Sequence, residues 1–166
     1  MHDPLGELLG VDHRGALDFF LVGLRDLSDS TVDRQELLYN ASVLAHYAQV
    51  STRSTTDLPA PPDLGAIFDQ FVFTDTAATD GTLLETAGAQ CLLLAGFFED
   101  QLRERFNIPW YASLGAGFYR RAAVHEPSSR KARLLDAMAS HFEPWRQRHA
   151  RLSRELRDQA YLLKVQ

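Results

Sequence analysis

The chain has 166 residues, of which 45% are hydrophobic and 23% are charged. This composition is typical of one globular domain that buries its own core. Its single cysteine, Cys91, excludes an intrachain disulfide and a cysteine-based zinc site and is expected to act as a small hydrophobic residue. No apolar run approaches the roughly 20 residues of a membrane span, and the first residues do not resemble a signal peptide, so we expect a cytoplasmic protein.

Charge is divided unevenly along the chain. Residues 1–119 carry 6 basic and 17 acidic side chains, whereas residues 120–166 carry 11 basic and 5 acidic ones. Such a split can mark a basic segment that binds an acidic partner. The alternative, which we favour, is that the basic end folds back on the acidic body of its own chain or of a second copy. Because an acidic body repels nucleic acid, we do not expect a nucleic-acid partner. The scarcity of lysine among the basic residues indicates a bacterial-type composition rather than a function.

The first part of the chain shows helical periodicity and almost no strand signal. The spacing of leucine and phenylalanine predicts a helix from about Asp12 to Leu27. Capping residues at 28–31 end it and predict a second helix from about Val32 to Ser51. A flexible loop that contains prolines is expected at about 52–62, and Asp63 is the expected N-cap of a short helix.

The most informative segment is residues 87–98, AGAQCLLLAGFF, in which only Gln90 is overtly polar. Twelve residues without a polar side predict a helix that is buried all round rather than one with a single apolar stripe. We therefore predict a central helix over about residues 82–105. The neighbouring carboxylates of Glu99 and Asp100 are expected to be solvated at its exposed end.

Three further helices are predicted, at about Trp110–Val124, from Pro127 onward, and at about Trp145–Leu163. The triplet at 115–117, Gly-Ala-Gly, permits a close backbone approach or a kink in the first of them. The predicted fold is all-α, a bundle of six or seven helices around the central helix, without significant sheet, in one domain over residues 1–166.

Polar residues on the buried side of the second helix form the first candidate site. A helical wheel at about 100° per residue places Asn40 among apolar residues, with Glu36 one turn away. A buried amide needs partners, because an unsatisfied polar group costs about 1–3 kcal/mol. Either a structural hydrogen-bond network forms here, which we favour, or these groups line a polar pocket. The tentative ligand-binding residues of that pocket are Asn40, Tyr47, Gln90, Tyr39 and Glu36. A third possibility is that Asn40 and Gln90 satisfy each other and leave no site.

Recognisable catalytic and metal-binding motifs are missing from the sequence. The six histidines show neither the Glu-x-x-His spacing of di-metal helical bundles nor a His-Glu-x-x-His motif. The glycines at 115–117 lack the third glycine and the preceding strand of a dinucleotide site, and Ser113 lacks a nucleophile elbow. We predict no catalytic residue, no metal and no cofactor, with convergence of scattered histidines on a metal as the alternative.

The last predicted helix carries a narrow apolar seam at spacings of four, three, four and seven residues: Trp145, His149, Leu152, Leu156 and Leu163. This pattern approaches that of paired helices, so we expect Trp145, Leu152, Leu156 and Leu163 to contact a second copy or another protein. Arginines surround the seam, but they sweep too much of the helix circumference to form one nucleic-acid-binding face.

Two hypotheses of function follow. The first is a non-catalytic protein-interaction or regulatory module that acts as a homodimer, with the C-terminal helix or the loop at 52–62 in contact with a partner. The alternative is a helical small-ligand-binding protein or metal-dependent enzyme, with a pocket between the second and central helices.

Overall fold

A computed structural model of the chain shows an all-α fold, as predicted. It describes the backbone of residues 13–53 and 81–165 and the side chains of residues 15–48 and 81–158. No strand occurs within these ranges, and the helices pack as a helical bundle. They form seven α-helices and one π-helical turn: α1 (His13–Asp26), α2 (Arg34–Arg53), α3 (Gly81–Leu92), the π turn (Leu93–Phe97), α4 (Glu99–Leu102), α5 (Ile108–His125), α6 (Ser129–Ser140) and α7 (Phe142–Val165).

The chain divides into two compact units, one comprising Met1–Ala60 with Arg148–Gln166 and the other comprising Pro61–Gln147. Helix α7 contributes residues to both, and a single domain over residues 1–166 stays a prediction. The loop predicted at about 52–62 begins inside α2, which continues to Arg53, and its remaining residues lie outside the described ranges. The short helix predicted after Asp63 also lies outside them.

In the first unit, α1 packs on α2 because each helix presents small and large apolar residues at helical spacing. Phe20 and Leu24 of α1 and Leu44 of α2 are almost completely buried. Gly23 allows a close approach, since the Cδ1 atom of Leu152 lies 2.9 Å from the position that a Cβ atom would occupy there. Both helices begin and end close to their predicted boundaries.

The central apolar run is buried, as predicted, but it does not form one continuous α-helix. Ala87, Gly88 and every residue from Cys91 to Phe98 are buried, while Ala89 and Gln90 are half-buried. The π turn interrupts the helix, and the N–H of Phe98 donates to the carbonyl of Leu93, five residues earlier, at 2.9 Å. The helix resumes as α4 and ends at Leu102 rather than near residue 105. A wider turn changes the angles between successive side chains. This change accompanies the burial of eight consecutive residues, 91–98, more than one face of a regular helix presents in succession.

In the second unit, α5 packs against α3 and α6. The predicted close approach is confirmed at Gly115, where a Cβ atom would lie 2.6 Å from Cζ of Phe142 and 2.7 Å from Cβ of Cys91. Gly117 has nothing within 4 Å of that position. None of the helices in the described ranges combines the length and apolar character needed to cross a bilayer.

Candidate ligand-binding groove

A groove of about 730 Å³ lies in the second unit, where α4, the turn after it, the start of α5, the end of α6 and the start of α7 meet. Its apolar lining residues are Phe106, Ile108, Pro109, Ala112, Ala116, Ala139 and Phe142. Its polar and charged lining residues are Glu99, Arg103, Asn107, Ser113, Ser140, Glu143 and Arg146. Small-molecule sites typically occupy roughly 300–1,000 Å³ and combine apolar walls with a few polar groups, and this groove matches that description.

Small side chains on neighbouring helices leave the space for the groove. Ala112 and Ala116 lie one turn apart on α5, and Ala139 lies on α6. The missing side chain of Gly115, which neighbours these two alanines on α5, lets the ring of Phe142 pack closely. The same helix therefore uses one small residue for close packing and two others to line the groove.

Arg146 is held at the groove by two carboxylates and a backbone carbonyl. Its Nε and Nη2 atoms donate to the two oxygens of Glu143 at 2.8 and 2.6 Å. Its Nη1 atom donates to the carbonyl of Ala95 at 3.0 Å and lies 3.1 Å from Oε1 of Glu99. Only 12% of the Arg146 side chain is exposed. Because the pair with Glu143 is bidentate, it fixes the guanidinium plane as well as its position.

The carboxylate of Glu143 is stabilised in its charged form. Its pKa is lowered mainly by the hydrogen bond from Arg146, with a further contribution from Gln147, whose Nε2 donates at 3.1 Å. The hydrogen bond with Glu143 also raises the pKa of Arg146. This end of the groove is therefore a fixed ionic network.

The backbone carbonyl that accepts from Arg146 belongs to Ala95, which lies within the π turn. A regular α-helix satisfies its interior carbonyls along its own axis, whereas helix ends and interruptions leave some available to other donors. Here the interruption falls between α3 and α4, and the guanidinium supplies a donor. Single π turns of this kind are frequent at functional sites, which adds weight to the groove as a candidate.

Aromatic residues gather at the start of α5, beside the groove. The ring centroids of Trp110 and Tyr111 are 4.7 Å apart, and those of Phe106 and Tyr111 are 6.2 Å apart, both edge to face. Trp110 is 43% exposed. Asn107 begins the helix, because its side-chain oxygen accepts from the backbone N–H of Trp110 at 3.1 Å. The exposed indole follows the lining residue Pro109 and so provides a nearby spectroscopic reporter.

The predicted polar group on α2 forms a buried hydrogen-bonded chain in the first unit. Asn40 is wholly buried and its Nδ2 donates to the backbone carbonyl of Glu36 at 2.8 Å. Its Oδ1 is 2.9 Å from Nε2 of His149, which is also wholly buried. Because the amide nitrogen of Asn40 is used on Glu36, the imidazole must donate through Nε2. Asn40 thus has buried hydrogen-bond partners, as the favoured alternative requires, and one of them is His149, which the helical wheel did not indicate. Membership of Tyr47 and of the Glu36 side chain in this network stays a prediction.

The second ring nitrogen of His149 is a buried acceptor. With the proton on Nε2, Nδ1 carries a lone pair, and it has no hydrogen-bond partner within the described part of the chain. Burial, with a smaller effect from Arg148, lowers the pKa of this histidine from 6.5 to about 3. The imidazole is therefore neutral in the folded protein at physiological pH.

The other members of the predicted pocket belong to both units. Tyr39 and Tyr47 are half-buried on α2, in the first unit. Gln90 is half-buried on α3, in the second unit. A ligand-binding role for Asn40, Tyr47, Gln90, Tyr39 and Glu36 stays a prediction.

The apolar seam of the C-terminal helix is largely buried in the single chain. Trp145, Leu152 and Leu156 are between 1% and 9% exposed. Leu152 packs against Gly23 of α1. The side chain of Leu163 lies outside the described residues. The seam thus has partners within its own chain, and its contact with a second copy stays a prediction.

The sequence analysis does not predict the groove, and it expects one of its charged residues, Glu99, to be solvated. The expectation of solvation is wrong for Glu99, whose side chain is 21% exposed and pairs with Arg146. One local signal was available, namely the three-residue spacing of Glu143 and Arg146, which pairs them on one helical face. The contact between Arg146 and Ala95 joins residues 51 positions apart, and no local pattern reports it.

Cys91 is the buried hydrophobic residue that the sequence predicts. It is completely buried, and burial raises the pKa of its thiol to about 12. Within the described residues, no three histidine, cysteine or acidic side chains are grouped so that they could hold a metal ion. No protein-family model, curated protein or solved structure matches this chain.

Proposed function

We propose that this protein is a non-catalytic cytoplasmic binding module, and that the groove beside Arg146 takes up a small molecule with a mostly apolar body. The observation that carries the proposal is a cavity of about 730 Å³ whose apolar walls adjoin a fixed ionic network. A pre-formed site of this kind favours binding, because little of its structure has to be ordered when the ligand arrives.

The chemistry of the groove supports binding rather than catalysis. A general acid or base works best when its pKa lies near the ambient pH, whereas the hydrogen bond from Arg146 lowers the pKa of Glu143. Glu99 also engages Arg146. The thiol of Cys91 is buried with a raised pKa, which disfavours the thiolate needed for nucleophilic attack.

Saturation-transfer NMR on the full chain tests this proposal with a panel of eight-carbon probes: octan-1-ol, octanoate and octylamine. The groove is filled by Ala116→Trp and, as a second variant, Ser113→Trp, since both side chains line it. Gly117→Trp is the matched control, because it adds the same indole on the next residue of α5, in open space.

We expect at least one probe to receive saturation from the wild type and from Gly117→Trp, and to lose it in folded groove-filling variants. The proposal fails if no probe binds the wild type, or if the groove-filling variants bind as well as the control does. Thermal melting followed by circular dichroism establishes that each variant is folded.

A further inference from the structure

Arg103 and Asn107 offer the groove hydrogen-bond donors that no interaction with the described residues uses. Arg103 is exposed at the groove and makes no ion pair with the described residues. Asn107 uses its side-chain oxygen to cap α5, so its amide nitrogen keeps two donor hydrogens. The hydroxyls of Ser113 and Ser140, which can donate or accept, also have no partner within the described residues.

The anionic side chains of the groove, by contrast, are already engaged. Both oxygens of Glu143 accept from Arg146, and Glu99 pairs with the same guanidinium. Glu99 and Arg103 are four residues apart, a spacing at which opposite charges pair on a helix. In the described residues the carboxylate of Glu99 pairs with Arg146 and not with Arg103.

We propose that the groove selects an amphipathic organic anion, a small monocarboxylate whose head is bound by Arg103 and whose apolar body packs along the alanine-lined wall. This inference rests on the proposed function and adds the class of ligand to it. A carboxylate presents only acceptors, which suits the donors of Arg103 and Asn107. Its apolar body suits Ala112, Ala116 and the ring of Phe106.

The size of the expected selectivity follows from the head group. A hydrogen bond to a charged group is stronger than one between neutral groups. Arg103 is exposed, so screening reduces the gain, and we expect octanoate to bind about tenfold tighter than octan-1-ol at low salt. Octylamine should bind more weakly than either, because its head would meet the Arg103 cation.

Isothermal titration calorimetry with octanoate, octan-1-ol and octylamine tests the inference on the full chain at pH 7. Arg103→Met removes the charge and the donors while it keeps an apolar stem. Arg105→Met is the matched control, since Arg105 is also an exposed arginine of the same turn but does not line the groove. Arg103→Lys keeps the charge and should retain most of the selectivity.

We expect Arg103→Met to weaken octanoate binding about tenfold, with octan-1-ol unchanged, and Arg105→Met to bind like the wild type. Equal affinity for octanoate and octan-1-ol, tighter binding of octylamine, or equal effects of the two methionine variants would overturn the choice of an anion. If Ala116→Trp abolishes binding in any of those cases, the proposal that the groove is the binding site is still supported. Absence of binding by all three probes would instead remove the proposed function and this inference together.

Discussion

Acidification should destabilise this protein through His149, which is completely buried and hydrogen-bonded to Asn40. Burial lowers its pKa to about 3 in the folded chain, against 6.5 for an ordinary histidine. The unfolded chain therefore takes up a proton as the pH falls below 6.5, whereas the folded chain does so only near pH 3. The free energy of unfolding must fall with pH across that window, because the unfolded state binds more protons there.

The two pKa values set the size of this effect. Proton uptake by the unfolded chain alone lowers the free energy of unfolding by about 2 kcal/mol at pH 5, whereas at pH 7 this effect is almost nil because the unfolded imidazole is then mostly neutral. The value at pH 5 is almost the same for any folded pKa below about 4, because the folded imidazole is then neutral throughout. Two kilocalories is a large share of the roughly 5–15 kcal/mol that stabilises a typical domain.

Urea denaturation at pH 7, 6 and 5, followed by far-ultraviolet circular dichroism, measures this loss. His149→Gln removes the titrating group but keeps an amide donor for the Asn40 oxygen. The difference between the wild type and this variant isolates His149 from the carboxylates that also titrate. His46→Gln, at an exposed position of α2, controls for the loss of an imidazole as such. If the wild type and His149→Gln lose the same free energy between pH 7 and 5, the reasoning is refuted.

Four further outcomes are expected. Gly115→Ala should cost about 1–3 kcal/mol in urea denaturation, because its Cβ would lie 2.6 Å from a phenylalanine ring carbon, whereas Gly117→Ala, in open space, should stabilise by about 0.5–1 kcal/mol. Arg146→Met should lower the free energy of unfolding by about 1–2 kcal/mol, since it leaves the Glu99 and Glu143 carboxylates and a backbone carbonyl without this donor. Asn107→Ala should cost about 1 kcal/mol through loss of the α5 cap, measured in the same way. The predicted homodimer should give about twice the 18.7 kDa chain mass in light scattering, and a single-chain mass at high concentration would contradict it.

Periodicity and capping were sufficient to predict the helices. Asn107 followed by Pro109 marks the start of α5, and the leucine stripe of α1 gives its length almost without error. The all-round burial of residues 91–98 was also readable from their composition. The π turn could not be predicted from that composition. Whether a turn is regular or widened depends on how neighbouring helices pack against consecutive large side chains, and the sequence of one segment does not contain that information.

The candidate site was less predictable for a related reason. The helical wheel places Asn40 on the buried side of its helix. It does not identify the partner, because His149 is 109 residues away and occurs within the apolar pattern of another helix. The groove depends on the small size of its alanine side chains and on the contacts that bring Arg146 to Glu99 and Ala95, which are distant from it in the sequence. Both are properties of packing between helices, so local patterns carried little information about them.

The charge division along the chain is explained, in part, by ion pairs within the second unit. Arg146, from the basic end, pairs with Glu99, and Lys131 lies 2.9 Å from Glu85. These contacts agree with the favoured interpretation that the basic end folds back on the acidic body. They also bear on the proposed choice of ligand, because Arg103 follows Glu99 by four residues, a spacing at which opposite charges pair on a helix once Arg146 no longer holds that carboxylate. Arg146→Met should therefore weaken octanoate binding although it leaves Arg103 in place, and unchanged affinity in the folded variant would show that Arg146 does not control the charge of the groove.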